Sequence, residues 1–414
     1  MFNSVTISRR RFMELTAATG IGAATLSFNP AAMSQEAGNF VYADAAEPAD
    51  LSPWMRSVGS FSARAIYETL AEVRMTLNDD DTVTMEFVPV LAESWERIDD
   101  RTTRFTLRQG VTFSNGEAFD ANSVKASWDV LADADKAAEL GTRSLLAAME
   151  GCEIVDDFTV DITSMQPDYD CLGYYLRLGL VMLPPQKLAD EGIEAFGEDP
   201  VGTGPYMFQS WSRGSELVLE RNPNYWNADF PTTYNTITYI YRPEAAVRAQ
   251  TIASGEADFA FNIGAEQAST LTNSVIGGGF QSTSIRINNF IEPTNNLDLR
   301  LAINHAIDLD AICEAIFQGT AKPIGFFAFQ PVSIEPYSYD PELATQLIAD
   351  AELAGTELEL VYGEGRVPEE DQLGELYKAF LEAVGLVINL RKVEPGQYNE
   401  IGEQEFTAQP PLYM

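Results

Sequence analysis

One stretch, Val201 to Trp226, leaves the backbone few choices. Gly202 and Gly204 flank Thr203, and at each the absence of a Cβ permits a backbone angle or a close approach that other residues forbid. Pro205 then fixes φ at the start of a strand over Tyr206–Trp211. Strict alternation sends Tyr206, Phe208 and Ser210 one way, and Met207, Gln209 and Trp211 the other. Ser212-Arg213-Gly214-Ser215 is a turn, and Glu216–Arg221 returns with Leu217 and Leu219 on its apolar face. Asn222-Pro223-Asn224-Tyr225-Trp226 closes the hairpin, because Pro223 cannot continue a hydrogen-bonded ladder. No lysine follows the glycines, so the loop is not a phosphate cradle of the P-loop kind.

Upstream of this hairpin, short strands are expected at Phe40–Tyr42, Phe87–Val90, Trp95–Ile98 and Thr103–Leu107, with Asp99-Asp100-Arg101 reversing the chain between the last two. Asn115-Gly116 marks a tight turn. Asp120 or Asn122 caps a helix running to about Leu131. Glu153–Val155 and Thr159–Thr163 form a hairpin, and Cys171–Met182 reads as a helix ended by Pro184-Pro185. Downstream, the strand Ile237–Tyr241, the helix Ala245–Ser254 stopped by Gly255 and the strand at 258–261 make a crossover unit of the kind that builds parallel sheets. Ser282–Asn288 is the expected strand of passage into a second lobe. There the 3.6-residue stripes are clear: Leu299, Ala302, Ile303, Ala306 and Ile307, then Leu309, Ile312, Cys313, Ile316 and Phe317. Asp308 caps the second of these helices and Gly319 ends it. Asp340-Pro341 opens another, with Leu343, Leu347 and Ile348 inward and Gly355 at its end. Leu358–Val361, a helix carrying Leu373, Tyr377 and Leu381, and Val387–Leu390 form a second crossover.

Charge and composition exclude several functions. The chain of 414 residues carries 26 basic and 62 acidic side chains, a formal charge of -36. So negative a surface repels nucleic acid and anionic membranes, and an acidic solvated coat explains it better than a cation-collecting pocket. Residues 1–34 have the character of an export signal. Ser8-Arg9-Arg10-Arg11-Phe12-Met13 resembles a twin-arginine motif, and the apolar stretch after it is too short to span a bilayer. The three cysteines are an odd number for an oxidising compartment. Cys152 and Cys171 either form a bridge, worth about 3 kcal/mol, or stay as two buried thiols; Cys313 lies on a core stripe. The single histidine, His305, sits on a helix among core positions with no nucleophile elbow nearby, so a histidine-based triad is disfavoured, and a histidine-rich metal site is impossible.

Taken together, "VGTGPY" at 201–206, the hairpin and "RNPNYW" at 221–226 resemble the family 5 extracellular solute-binding proteins, the peptide- and nickel-type binding components of ABC importers. Ala92–Glu96, Phe105–Glu117, Ser254–Asp258 and Leu301–Asp308 match the same pattern, so the resemblance runs roughly from Phe40 to Tyr398. It implies an α/β, two-lobed periplasmic-binding-protein-like fold of the class II type, with an extra subdomain in the first lobe. The expected layout is 1–34 signal peptide, 37–60 with 198–283 first lobe, 61–197 inserted subdomain and 284–414 second lobe. Relatives continue well past Met414, so the second lobe is expected to be C-terminally truncated. The implied function is capture of a small solute, a peptide or peptide-like compound, between two lobes by hinge closure, with delivery to the permease subunits of an ABC transporter. The ligand-lining residues are expected to be Trp54, Met55 and Arg56, the arginine pairing a ligand carboxylate, together with Asn288 and Asn289 at the passage between lobes. Alternatively Trp54 and Arg56 are packing and surface residues, and the two asparagines cap a strand end. No catalytic residue, metal or cofactor is expected, and no stable membrane insertion; the protein would be a periplasmic monomer. The rival readings are a secreted hydrolase and a sensory or chaperone-like binding protein of the same fold.

Overall fold

The Val201–Trp226 stretch folds as a hairpin of two antiparallel strands, Tyr206–Ser212 and Glu216–Arg221. Its register departs from strict alternation. Val218 pairs with Ser210 while Leu219 pairs with Phe208, so Gln209 is one residue too many. This bulge reverses the parity of the strand. Trp211 stands opposite Leu217 and Phe208 opposite Leu219, which puts both aromatic residues on one face rather than on two. Trp211 is fixed there by a hydrogen bond from its indole N–H to Glu47 (2.9 Å) and by the Arg213 guanidinium 3.5 Å above its ring.

A computed structural model describes residues 4–6, 38–53, 61–77, 83–133, 135–136, 149–167, 180–230, 234–271, 274–276, 283–319, 321–325, 335–363 and 369–414. The chain divides into two compact units. One comprises residues 9–42 and 47–241; the other comprises residues 1–8, 43–46 and 242–414.

In the first unit the hairpin belongs to a sheet in which Thr236–Tyr241 lies between Glu216–Arg221 and residues 39–42 of the strand Asn39–Asp44. A second, wholly antiparallel sheet has the order Ala92–Arg97, Thr102–Leu107, Thr159–Ser164, Met149–Asp156. The Asp99 carboxylate turns the chain between its first two strands by accepting the N–H groups of Arg101 (2.8 Å) and Thr102 (2.7 Å). Ala71–Leu77 and Val83–Pro89 form a separate hairpin, and the first of these strands has no counterpart in the sequence reading. Helix Ala121–Ala132 is capped by Asp120, whose side chain accepts Asn122 N–H while Ser123 Oγ accepts the Asp120 N–H. Its Trp128, Val124 and Leu131 are buried. Pro185 begins a helix, Pro185–Glu191. Proline suits that first position because its missing N–H would have had no helical partner. The expected helix Cys171–Met182 falls largely outside the described residues, and Val181 at its end makes an antiparallel bridge with Thr69. Cys152 is a buried free thiol, and Cys171 lies outside the described residues.

In the second unit, Glu357–Gly363 and Val387–Val393 pair in parallel over seven residues, joined by helix Glu370–Ala383. Leu412–Tyr413 adds parallel to Glu357–Gly363, and Arg286–Ile287 pairs antiparallel with Leu412–Tyr413. The helices Leu297–Ala306, Leu309–Phe317 and Pro341–Asp350 carry the expected stripes into one core around Leu299, Ile303, Ile312, Leu360 and Leu381. Asp308 and Asp340 cap the last two of them through Ala311 N–H and Leu343 N–H, both at 2.9 Å. Leu343, expected inward, is instead 37% exposed, and Ala344 takes the buried position beside Ile348. Gly355 does not close this helix, which stops at Asp350. A helix at Pro395–Glu403 also forms. Of residues 1–34, read as an export signal, only Ser4–Thr6 are described, as a strand antiparallel to both Phe259–Ile263 and Ser274–Ile276. Among the described residues no helix is long and apolar enough to cross a membrane.

Candidate functional site

The glycine loop earns its sequence from what it touches. A Cβ on Gly202 would lie 2.1 Å from the Ile66 carbonyl oxygen, and one on Gly204 would lie 2.4 Å from that of Ala65. Neither glycine has positive φ; the requirement is close approach to the end of helix Phe61–Ile66. The approach lets Gly204 N–H donate to Ile66 O (2.9 Å) and Ser114 N–H donate to Gly202 O (2.9 Å). Asn222, from the far end of the hairpin, donates its side-chain amide to Gly204 O and its N–H to Pro205 O, both at 2.9 Å.

This packing carries three donors to one buried carboxylate. Glu68 Oε2 accepts from Thr203 Oγ1 and Trp226 Nε1, each at 2.8 Å, and Oε1 accepts from Tyr225 OH at 2.7 Å. Burial pushes the Glu68 carboxyl up to about 7, against the three hydrogen bonds, and the Glu72 charge pushes the same way. The Tyr225 phenol is raised as well, first by burial and then by the neighbouring Glu68. The Arg108 guanidinium covers the Trp226 ring at 4.3 Å. The site is a buried proton-binding group held by two hydroxyls and an indole.

The second unit offers a groove of about 470 Å³, within the range of small-molecule sites. One wall is the chain approaching Arg286–Ile287, from Thr283 onward; the others carry Asn304, Ile324, Tyr337 and Tyr377. Asn304 spends its amide N–H on Arg300 O (2.8 Å), and Tyr337 meets the His305 ring edge-on. His305 itself is paired through Nδ1 with Ser338 O at 2.8 Å, a helix residue holding a neighbouring loop. The groove is mostly apolar, and Arg286 is the charged residue on its lining. Among the described residues no three His, Cys, Asp or Glu side chains converge to hold a metal ion.

The family model for bacterial extracellular solute-binding proteins, family 5 Middle, matches residues 86–409. The chain belongs to this family. The glutathione-binding protein GsiB of Salmonella paratyphi A is 32% identical over 277 residues, which is 64% of this chain and 53% of GsiB; the GsiB of Escherichia coli O1:K1 is 31% identical over the same length. The chain thus spans about half the length of the curated relatives it matches. Among solved structures, the periplasmic binding protein DppA from Helicobacter pylori in complex with the peptide STSA superposes with a TM-score of 0.76 at 23% identity, over 91% of this chain and 77% of that one. NikA from Brucella suis in complex with Fe(III)-EDTA gives 0.70 at 26%, over 91% and 78%. The fold of this family 5 protein is therefore that of the two-lobed periplasmic binding proteins.

Of the residues expected at the ligand, Trp54, Met55 and Arg56 lie outside the described residues. The chain reaches them from a fixed point. Leu51 is buried with its N–H on Gly197 O (2.9 Å), and Ser52 is turned by Asp50 through N–H (2.9 Å) and Oγ (2.7 Å). Asn288 donates its side-chain amide to Phe406 O (2.7 Å) and Gln409 O (3.1 Å), and its Oδ1 accepts Phe290 N–H (3.1 Å). It brackets the 406–411 segment as well as turning its own. Asn289 is exposed beside Phe290, which stacks on Phe406 at 4.8 Å. Sequence reasoning passed over Glu68. The available signal was an acid inside the apolar run Ile66-Tyr67-Glu68-Thr69-Leu70, since a carboxylate is buried only with partners.

Proposed function

We propose that this family 5 protein is the solute-capturing component of an ABC importer, taking up a small peptide or peptide-like compound outside the cytoplasm and passing it to permease subunits. The reading is carried by the family match over 86–409 and supported by GsiB, whose named solute, glutathione, is peptide-like. Capture works by shifting a population of open and closed forms, to the extent that the solute prefers the closed one. Trp54, Met55 and Arg56 contact the solute from a first lobe made of 37–60 and 198–283, to which 61–197 is added. Asn288 and Asn289 do so from a second lobe, 284–414, with Asn289 the freer of the two. The solute is bound without covalent change, so the protein is not an enzyme. Residues 1–34 direct export by the twin-arginine route and are removed.

The test is a thermal-shift and calorimetric panel of glutathione, dipeptides to tetrapeptides, opines and sugars. One class raising Tm and giving saturable heat, with both weakened in Arg56→Ala, is the expected result. Small-angle scattering should then show compaction with that ligand. Product formation from any panel member would favour the hydrolase reading, and silence from every class would remove the importer reading.

A further inference from the structure

We infer that Glu68 is a proton-controlled staple within the first unit: protonated, it ties the 66–70 run, the glycine loop and the Tyr225–Trp226 corner together, and ionised, it loosens that junction. The three segments are distant in sequence, and this one side chain is bonded to the last two while standing in the first. Its partners are all neutral. Two of them, the Thr203 and Tyr225 hydroxyls, can reverse from donor to acceptor, whereas the Trp226 indole only donates. A protonated Glu68 therefore keeps all three contacts by turning one hydroxyl to receive its O–H. An ionised Glu68 keeps them too, but as a buried charge with no cation bonded to it.

The charged groups around it do not change that balance. Arg108 stands behind the Trp226 ring with Nε on Val90 O (2.9 Å) and NH1 4.0 Å from Glu93. Glu72 adds negative charge, and the cations near it, Arg64 and Arg74, act on Glu72. Tyr225 is the remaining titratable neighbour, and its phenol stays protonated because burial and Glu68 both raise it. The folded-state carboxyl is displaced upward, from 4.5 to about 7. The stabilisation it brings is complete below the unfolded value and is lost as pH rises through about 7. The junction is tightest in mildly acidic solution and slackens toward alkaline pH.

Hydrogen exchange of the full chain at 66–70, 203–206 and 225–226 reads the staple directly. Corrected for intrinsic exchange, opening of these segments should rise about tenfold between roughly pH 6 and pH 8, by linkage from the two carboxyl values. Glu68→Gln, which keeps the shape and one acceptor, should make it flat. Difference infrared spectra should show a protonated-carboxyl band at the acid end that fades with a midpoint near 7 and is absent from E68Q. Should E68Q fail to fold, Tyr225→Phe serves instead: removing a donor to the ionised form must move the midpoint upward. Protection that ignores pH, a pH dependence that survives E68Q, or an unmoved midpoint in Y225F would each overturn the inference.

Discussion

Replacing Gly204 with alanine tests the claim that close approach dictates the glycine loop. The new Cβ would sit 2.4 Å from Ala65 O, 2.6 Å from Ile66 O and 2.8 Å from Ile66 C, all backbone atoms that no rotamer change can move aside. Relief requires the loop to back away from the helix end by nearly 1 Å, as overpacked sites do at about 1–3 kcal/mol. That movement also stretches the Gly204 N–H bond to Ile66 O and the Asn222 amide bond to Gly204 O. Buried hydrogen bonds contribute about 1 kcal/mol each. The sum is about 3–5 kcal/mol, or roughly 6–20 °C of Tm for a body of this size. Differential scanning calorimetry measures it, with Gly38→Ala as the control because a Cβ there meets open space. Gly204→Ala melting within about 2 °C of the parent would refute the reasoning, since so small a change is under ~1 kcal/mol.

Three further outcomes follow from other parts of the chain. Asp120→Ala removes the cap of helix Ala121–Ala132 and should cost about 1 kcal/mol in urea unfolding, with Asp120→Asn recovering most of it. Leu360, fully buried on the strand Glu357–Gly363 between two neighbours, should lose about 2–5 kcal/mol on truncation to alanine, read as a lower denaturant midpoint at unchanged slope. Cys152, whose thiol burial pushes up to about 12, should resist iodoacetamide at pH 8 in the native protein and react on unfolding, since only the thiolate is nucleophilic.

What the sequence made legible was whatever its cause kept local. Asp120, Asp308 and Asp340 each cap a helix by bonding an N–H two or three residues on, so the motif and its consequence lie in one short window. The stripe Leu299, Ala302, Ile303, Ala306 is periodic for the same reason. The glycines at 202 and 204 announced either an unusual backbone angle or a close approach, and only the structure shows that it is the second, to the end of helix Phe61–Ile66. The bulge at Gln209 escaped because its evidence is the pairing of two strands, and either strand alone alternates acceptably. The helix that Pro185 opens went unplaced because proline punctuates both ends of helices, and only the following residues decide which.

Glu68 shows where local reading ends. Its partners lie 135, 157 and 158 residues away, and no periodicity connects them. Yet each segment was individually odd: an acid in an apolar run, a threonine between two glycines, a tyrosine–tryptophan pair after a proline that stops a strand. Each oddity is costly alone. The acid needs donors, the indole N–H and phenol need an acceptor, and the glycine loop sacrifices chain entropy. Packed together the oddities satisfy one another, which is why the hairpin from Val201 to Trp226 is bounded by these residues and not by generic turns. The same reasoning sets the order of events when the node is disturbed. Loss of Glu68 leaves the half-buried Trp226 indole as a donor that cannot reverse, so the Tyr225–Trp226 corner should open before the glycine loop, whose bonds to Ile66 and Asn222 remain.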